Sequence, residues 1–405
     1  MNGTMKTGWA TWIVAVALSA AAETASYEAF HRHLCDPARM IYKEHSGQTE
    51  AKARFKGAAA IWCQAIFFDM AVNAVRRAQE TNAPAAERRR LLERMRKIFA
   101  GEKAHYADFD FDNPDENNGW FVYDDIMWWV AALARAAAVD AANDAPPYLD
   151  LAEKAFHRVW YGSPKVGDTG SYADPAKGLG GGMFWQWQPI PKARPNKAGD
   201  FRSACITFPT IIACCLLHDR GPATRTEGNA ARPTRAFYKA KAIELYAWGR
   251  TTLVPDGARV ADGIHKGGPE FHDHLYNQAT YLGAACLLHR LTGEARYLAD
   301  ARRAADYIRD TMCRPAPDGT RLLPVERGPE QGVYAAIFAQ YMDLLVHDRG
   351  QKQYLPWLRA NITAGWRNRD ARGLQDARLG RPLRPGADVQ SYDASALPAL
   401  QLLFD

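Results

Sequence analysis

The sequence predicts an all-α protein, an (α/α)6 barrel in which six helical hairpins close into a ring. Three observations carry this expectation. Apolar residues recur at helical spacing in about twelve segments, as in Val122, Ile126, Trp129, Val130 and Leu133, which share one helix face. Few segments alternate with period two, the mark of a half-buried strand. At least one tight turn joins consecutive helices. An open α-solenoid is the alternative arrangement of the same hairpins.

Besides the helix that begins near Tyr123, helical runs cover approximately residues 27–45, 57–80, 86–100, 147–160, 203–218, 234–253, 272–291, 294–312, 331–346, 351–369 and 391–403. Three of them echo one another: Tyr148-Ala152-Ala155, Tyr238-Ala242-Leu245 and Tyr297-Ala301-Ala304. Each places an aromatic ring before small or apolar residues at i+4 and i+7, a face suited to close helix packing. Their unequal intervals argue against a strict solenoid repeat. Between Leu291 and Glu294, the Thr292-Gly293 pair ends one helix and starts the next, an antiparallel hairpin.

With 405 residues, 47% of them hydrophobic and 24% charged, the chain has enough apolar material for a large core. No linker or low-complexity tract divides it, so residues 26–405 read as one catalytic domain. The net charge of +6 is modest, Arg88-Arg89-Arg90 reads as a solvated helix face, and no nucleic-acid-binding signature occurs. Residues 1–25 read as a signal peptide: Lys6 precedes a mostly apolar run from Trp9 to Ala22, followed by small residues. At about fourteen residues this run is short for a membrane span. No second candidate follows, so the mature protein is expected to be exported, periplasmic or secreted, without an integral span. A buried first helix is the alternative.

The seven cysteines form no C-x-x-C pair and read as small buried hydrophobes. His272 and His274 make an H-x-H pair, but no further ligand is evident in the sequence, so no metal site is assigned.

The chemistry concentrates at Tyr123-Asp124-Asp125-Ile126-Met127-Trp128-Trp129, directly after a loop ending at Trp120. Cleaving a glycosidic bond needs two carboxyl groups, one to donate a proton and one to attack or to activate water. It also needs flat apolar surfaces, because the C–H face of a sugar packs on indole and phenol rings. An Asp-Asp pair at a helix start is more often a cap stabilised by the helix dipole. Here Trp128 and Trp129 follow at i+3 and i+4, so indoles can lie over the carboxylates. Apolar cover and a like charge push one carboxyl upward, while the helix dipole pulls the other way, so spacing leaves open which Asp stays protonated. Adjacent α-carbons are about 3.8 Å apart, which favours the close carboxyl pair, about 5–5.5 Å, of a retaining enzyme. Further loops add sugar-binding residue types. Gly178 to Trp187 combines glycines, Gly182 among them, with aromatics including Trp185, and Asp262, Tyr276 and Asn277 offer polar groups for hydroxyls.

Taken together, Trp62-x-Gln64-Ala65, Tyr123-Asp124-Asp125-x-x-Trp128-Trp129, Gly181-Gly182-Met183-Phe184-Trp185, Ala204 to Pro209, Asp262-Gly263 and Tyr276-Asn277-Gln278 resemble glycoside hydrolase family 76, in the family's order over roughly residues 55–345. The resemblance implies an (α/α)6 barrel and endo-acting, retaining cleavage of α-1,6-linked mannan without a cofactor. It further implies that Asp124 is the nucleophile and Asp125 the acid/base. Substrate contacts are then expected from Trp120, Tyr123, Trp128, Gly182, Trp185, Arg202, Asp262, Tyr276 and Asn277. The chain departs from the family pattern at Phe184, where a second Trp is expected, at Arg202-Ser203 in place of Lys-Asn, and at Ala279 in place of Gly. All three are expected in substrate-facing loops.

Other readings differ in what they require. A non-catalytic glycan-binding toroid would keep its affinity after Asp124→Asn and Asp125→Asn. An unsaturated-uronide hydrolase would want a basic pocket, for which Arg202 is the candidate. An epimerase would depend on His272 and His274. A transglycosylase would use the same two Asp roles.

Overall fold

Helices of two kinds alternate along the chain. The computed structural model describes residues 24–53, 56–113, 120, 122–185, 194–221, 233–326 and 328–404; of the export signal expected over residues 1–25, all but Thr24 and Ala25 lie outside the described residues. The helices are α1 (Ala25–Leu34), α2 (Ile61–Glu80), α3 (Ala85–His105), α4 (Tyr123–Val139), α5 (Tyr148–Tyr161) and α6 (Ala204–Arg220). They continue with α7 (Arg235–Thr252), α8 (Leu275–Thr292), α9 (Ala295–Tyr307), α10 (Tyr334–Asp343), α11 (Leu355–Asn368) and α12 (Ala396–Phe404).

The even-numbered helices form the inner ring. Each packs on the next (α2 on α4, then α6, α8, α10 and α12), and α12 closes the circle against α2. They are apolar nearly all round, as burial on every side requires; in α2, every residue from Cys63 to Val75 is buried. The odd-numbered helices pack outside: α3 on α2, α5 on α4, α7 on α6, α9 on α8, and both α11 and α1 on α12. They bury only a stripe, in α3 the residues Leu91, Met95, Ile98, Phe99 and Glu102. The recurring triplets Tyr148-Ala152-Ala155, Tyr238-Ala242-Leu245 and Tyr297-Ala301-Ala304 are this stripe on α5, α7 and α9, and all nine residues are buried. The turn at Gly293 is left-handed (φ 75°), the αL cap that separates α8 from α9.

Polar bonds tie the inner helices together away from their starts. Arg135 of α4 pairs with Asp69 of α2 and donates to the Tyr341 hydroxyl of α10 at 3.3 Å. Arg76 of α2 reaches Asp343 at 2.7 Å, and Asn73 donates to Gln340 at 2.5 Å. All seven cysteines are buried and none is in a disulfide, and Arg89 and Arg90 are exposed on α3. Among the described residues no helix is long and apolar enough to cross a membrane.

Several boundaries differ from the periodicity. The run 27–45 stops being helical at Leu34, and Cys35–Asp36 (β1) pairs antiparallel with Ile41–Tyr42 (β2). Pro37 disfavours helix at Asp36, whose carboxylate accepts the backbone N–H groups of Ala38, Arg39 and Ala51 instead. The run 391–403 is divided, with one turn at Ser391–Ala394 preceding α12. A small antiparallel sheet also forms from Arg202–Ser203 (β3), Gly263–His265 (β4) and Gly268–Glu270 (β5). Strands of two or three residues are too short to show period two.

Candidate active site at the mouth of the ring

Five of the inner helices start at one end of the ring, and the second residues of four of them meet there: Trp62 on α2, Asp124 on α4, Cys205 on α6 and Tyr276 on α8. Tyr334, the first residue of α10, joins them. The positive ends of the helix dipoles therefore face this mouth.

Asp124 accepts a hydrogen bond from Trp185 Nε1 at 2.9 Å and another from the Cys205 thiol, which in turn lies 2.8 Å from Ser203 Oγ. Burial pushes the Asp124 carboxyl up from 3.8 to about 6, against the opposing pull of the Cys205 and Trp185 donors. At pH 7 such a group is still about tenfold more ionised than protonated. Asp125 is buried beside it, 5% exposed.

An aromatic wall crosses the mouth. The Trp128 ring lies 6.4 Å from Trp62, Trp62 lies 6.3 Å from Tyr334, and Tyr334 stacks on Tyr276 at 4.2 Å. Trp62 is held by its Nε1, which donates to Glu330 at 2.7 Å. Trp62 and Tyr334, both half-buried, were not expected as site residues; neither was Cys205. Trp62 and Cys205 do lie within the motifs that carry the family resemblance. Trp129 turns the other way. It stacks on Phe68, donates to Ile61 O at 3.0 Å and binds α4 to α2 in the core, not over the carboxylates.

Asp262 and Asn277 are brought to the same place. Asn277 Nδ2 donates to Asp262 Oδ1 at 2.9 Å, and the Asp262 charge is felt, with that of Asp124, by Cys205 and Tyr276. Asn277 itself is fully buried, so it orients Asp262 from behind. The fold also gives the H-x-H pair the companion missing from its local sequence. One donor atom each of Asp262, His272 and His274 lies within 4.8 Å of the other two. His274 Nδ1 pairs with Glu326 Oε2 at 2.5 Å, which raises the imidazole above its usual value.

Four more expected contact residues serve the scaffold instead. Trp120 is 1% exposed, wedged among Tyr106, Phe109 and Phe111. Tyr123 is buried with its hydroxyl on Asp168, which also pairs with Arg158 at 2.9 Å. Arg202 lies on the face of β3 opposite Ser203, because side chains alternate along a strand. Its guanidinium sits 5.4 Å from the Trp248 ring of α7 and donates to Gly181 O at 3.0 Å. Gly182 (φ 81°) rests on the same indole; a Cβ there would lie 2.4 Å from it. Arg202, Gly182 and Trp248 thus anchor the loop that presents Trp185, three residues further on. The departures at Phe184 and Ala279 are buried too, Ala279 inside α8 rather than in a loop. Gln186 and Trp187, and residues 114–119 of the loop before Trp120, lie outside the described residues.

The fold has solved counterparts. An inactive variant of α-1,6-mannanase GH76A of Salegentibacter sp. HEL1_6, with two adjacent aspartates replaced by alanine and in complex with α-1,6-mannotetrose, superposes with a TM-score of 0.68. Identity is 18%, over 95% of this chain and 98% of that one. A family 76 glycoside hydrolase (mannosidase) of Bacteroides thetaiotaomicron VPI-5482 gives 0.71 at 17% identity, covering 94% and 96%. Dfg5 from Chaetomium thermophilum in complex with glucosamine gives 0.60 at 16%, covering 87% and 82%. At these identities the likeness speaks for the α/α toroid alone. No curated protein matches the sequence. The family model for glycosyl hydrolase family 76 matches residues 33–395, nearly the whole chain: this protein belongs to glycosyl hydrolase family 76.

Proposed function

We propose that the protein cleaves α-1,6-linked mannan within the chain and with retention of anomeric configuration, using Asp124 as nucleophile and Asp125 as acid/base. The observation that carries this reading is the placement of Asp124, held by Trp185 and Cys205 at a mouth walled by Trp62, Tyr334 and Tyr276. The Salegentibacter mannanase, inactive when two adjacent aspartates are replaced, supports the same pair.

In the first step Asp125 gives its proton to the glycosidic oxygen while the Asp124 carboxylate forms a bond to the anomeric carbon, and the aglycone leaves as an alcohol. In the second, Asp125 takes a proton from water, whose oxygen displaces Asp124 from the same carbon. Two neighbouring carboxyls in an apolar setting resist carrying two charges together, so their titration belongs to the pair. Trp185 and Tyr276 are positioned to pack on sugar faces, and Asp262, steadied by Asn277, to accept sugar hydroxyls. Uronide chemistry finds less support, since Arg202 lies against Trp248.

Residues 1–25 would be removed on export to the periplasm or beyond, and 26–405 would act as one catalytic unit without a membrane span. Incubation with linear α-1,6-mannan and with branched mannan, followed by product sizing, tests substrate and action pattern together. NMR of fresh products tests stereochemistry: the α-anomer first is expected, and the β-anomer first would overturn the adjacent-pair mechanism.

A further inference from the structure

We propose that Asp262, His272 and His274 bind a divalent transition-metal ion of the zinc class at the rim of the cleft, and that the bound ion inhibits the enzyme. Only the inhibitory half rests on the functional reading above.

Two imidazoles and one carboxylate are the donor set of zinc and its neighbours, with positions left open for water. Here one donor from each of the three residues already lies within 4.8 Å of the others, although Asp262 and His274 come from different elements. Two of the three are held in place. Glu326 accepts His274 Nδ1–H at 2.5 Å, and its other oxygen accepts the Leu275 N–H at 2.6 Å. The carboxylate is thereby fixed by backbone and leaves Nε2 as the nitrogen free to ligate. Such a carboxylate behind a ligating histidine sets its tautomer and raises its basicity. Asp262 is clamped as firmly. Its N–H donates to Glu270 O at 2.7 Å, its carbonyl accepts Ala204 N–H at 2.8 Å, and Asn277 holds Oδ1. His272 is exposed and stacks on His274 with ring centroids 5.9 Å apart, which makes it the adaptable third ligand.

The consequence follows from what Asp262 does otherwise. An ion on its carboxylate removes an acceptor for sugar hydroxyls and sets two positive charges beside Tyr276 and Asp124. Binding of metal and of substrate then become mutually exclusive.

The test uses untagged full-length protein; its thiols are buried and offer no competing surface site. Calorimetric titration with Zn2+ and visible absorption with Co2+ are expected to show one ion per chain. His272→Ala is expected to weaken binding at least about tenfold, and Glu326→Gln by about 10–100-fold. With linear α-1,6-mannan, Zn2+ is expected to raise KM with little change in kcat, and His272→Ala to keep its metal-free activity while escaping this inhibition. Absence of zinc binding below about 1 mM, or undiminished binding in His272→Ala, would overturn the site. Full binding without inhibition would overturn the regulatory half. If metal-free protein cleaves no mannan, the functional reading fails while calorimetry still decides the site.

Discussion

Replacing Trp185 by Phe removes the N–H that reaches Asp124 at 2.9 Å and keeps an aromatic face for the sugar. That donor favours the ionised carboxylate, so its loss moves the Asp124 pKa further upward. A sheltered hydrogen bond to a charged group is worth about 1.5–3 kcal/mol. Trp185 is 41% exposed, and water replaces part of the bond, so about 1 kcal/mol is the working figure. That corresponds to a rise of about 0.7 in pKa. Burial already holds the group at about 6. A nucleophile must be charged, so activity falls on the acid side as pH drops through the step of the Asp pair that ionises Asp124, taken at this value. In Trp185→Phe that limb moves from about 6 to about 6.7. At pH 6 the ionised fraction falls from about one half to about one sixth, roughly threefold, whereas above pH 8 the two proteins differ little through this cause. The assay is kcat/KM on linear α-1,6-mannan from pH 5 to 9, by release of reducing ends. A loss equal at every pH, with the acid limb unmoved, would refute the reasoning and leave the indole as a sugar platform alone.

Asp124→Asn is expected to stabilise the fold at neutral pH. The folded pKa of about 6 lies above the ordinary 3.8, so the wild type loses stability as pH rises from about 4 to 6; the amide does not share this loss, at most about 3 kcal/mol. Comparing Tm by calorimetry at pH 4 and 7.5 checks the sign. Gly182→Ala meets the Trp248 indole at 2.4 Å in a left-handed conformation and is expected to cost about 1–3 kcal/mol in urea unfolding, with lowered activity because the Trp185 loop shifts. Asp69→Ala strands Arg135 in the ring interior and is expected to cost about 3–5 kcal/mol; the pH profile of the surviving folded enzyme should not move.

Much of the ring was legible in the sequence because burial repeats. The faces Tyr148-Ala152-Ala155 and Tyr238-Ala242-Leu245 pack inward as their spacing suggests, and the Thr292-Gly293 turn falls where the cap chemistry puts it. The site was legible in part, for a physical reason. Spacing tells which residues share a helix face, but not which end of a helix opens on solvent. Trp128 and Trp129 are neighbours with similar surroundings in sequence, yet one joins the aromatic wall and the other locks α4 to α2. Trp120 and Tyr123 stand next to the Asp pair along the chain and are buried by partners from elsewhere, Phe111 and Asp168. Asp262 meets the two histidines only because β4 and β5 turn the chain back, and strands of three residues leave no pattern to read.

The convergence of inner-helix starts on one mouth has a consequence for divergence. A positive field made by side chains can be erased by a single codon change. One made by peptide dipoles belongs to the backbone and persists while the helices persist. Counterparts at 17–19% overall identity that keep these helices therefore keep an anion-favouring floor. Trp62 and Tyr276, at the second positions of α2 and α8, then become positions at which specificity can drift, or be redesigned, without rebuilding that floor.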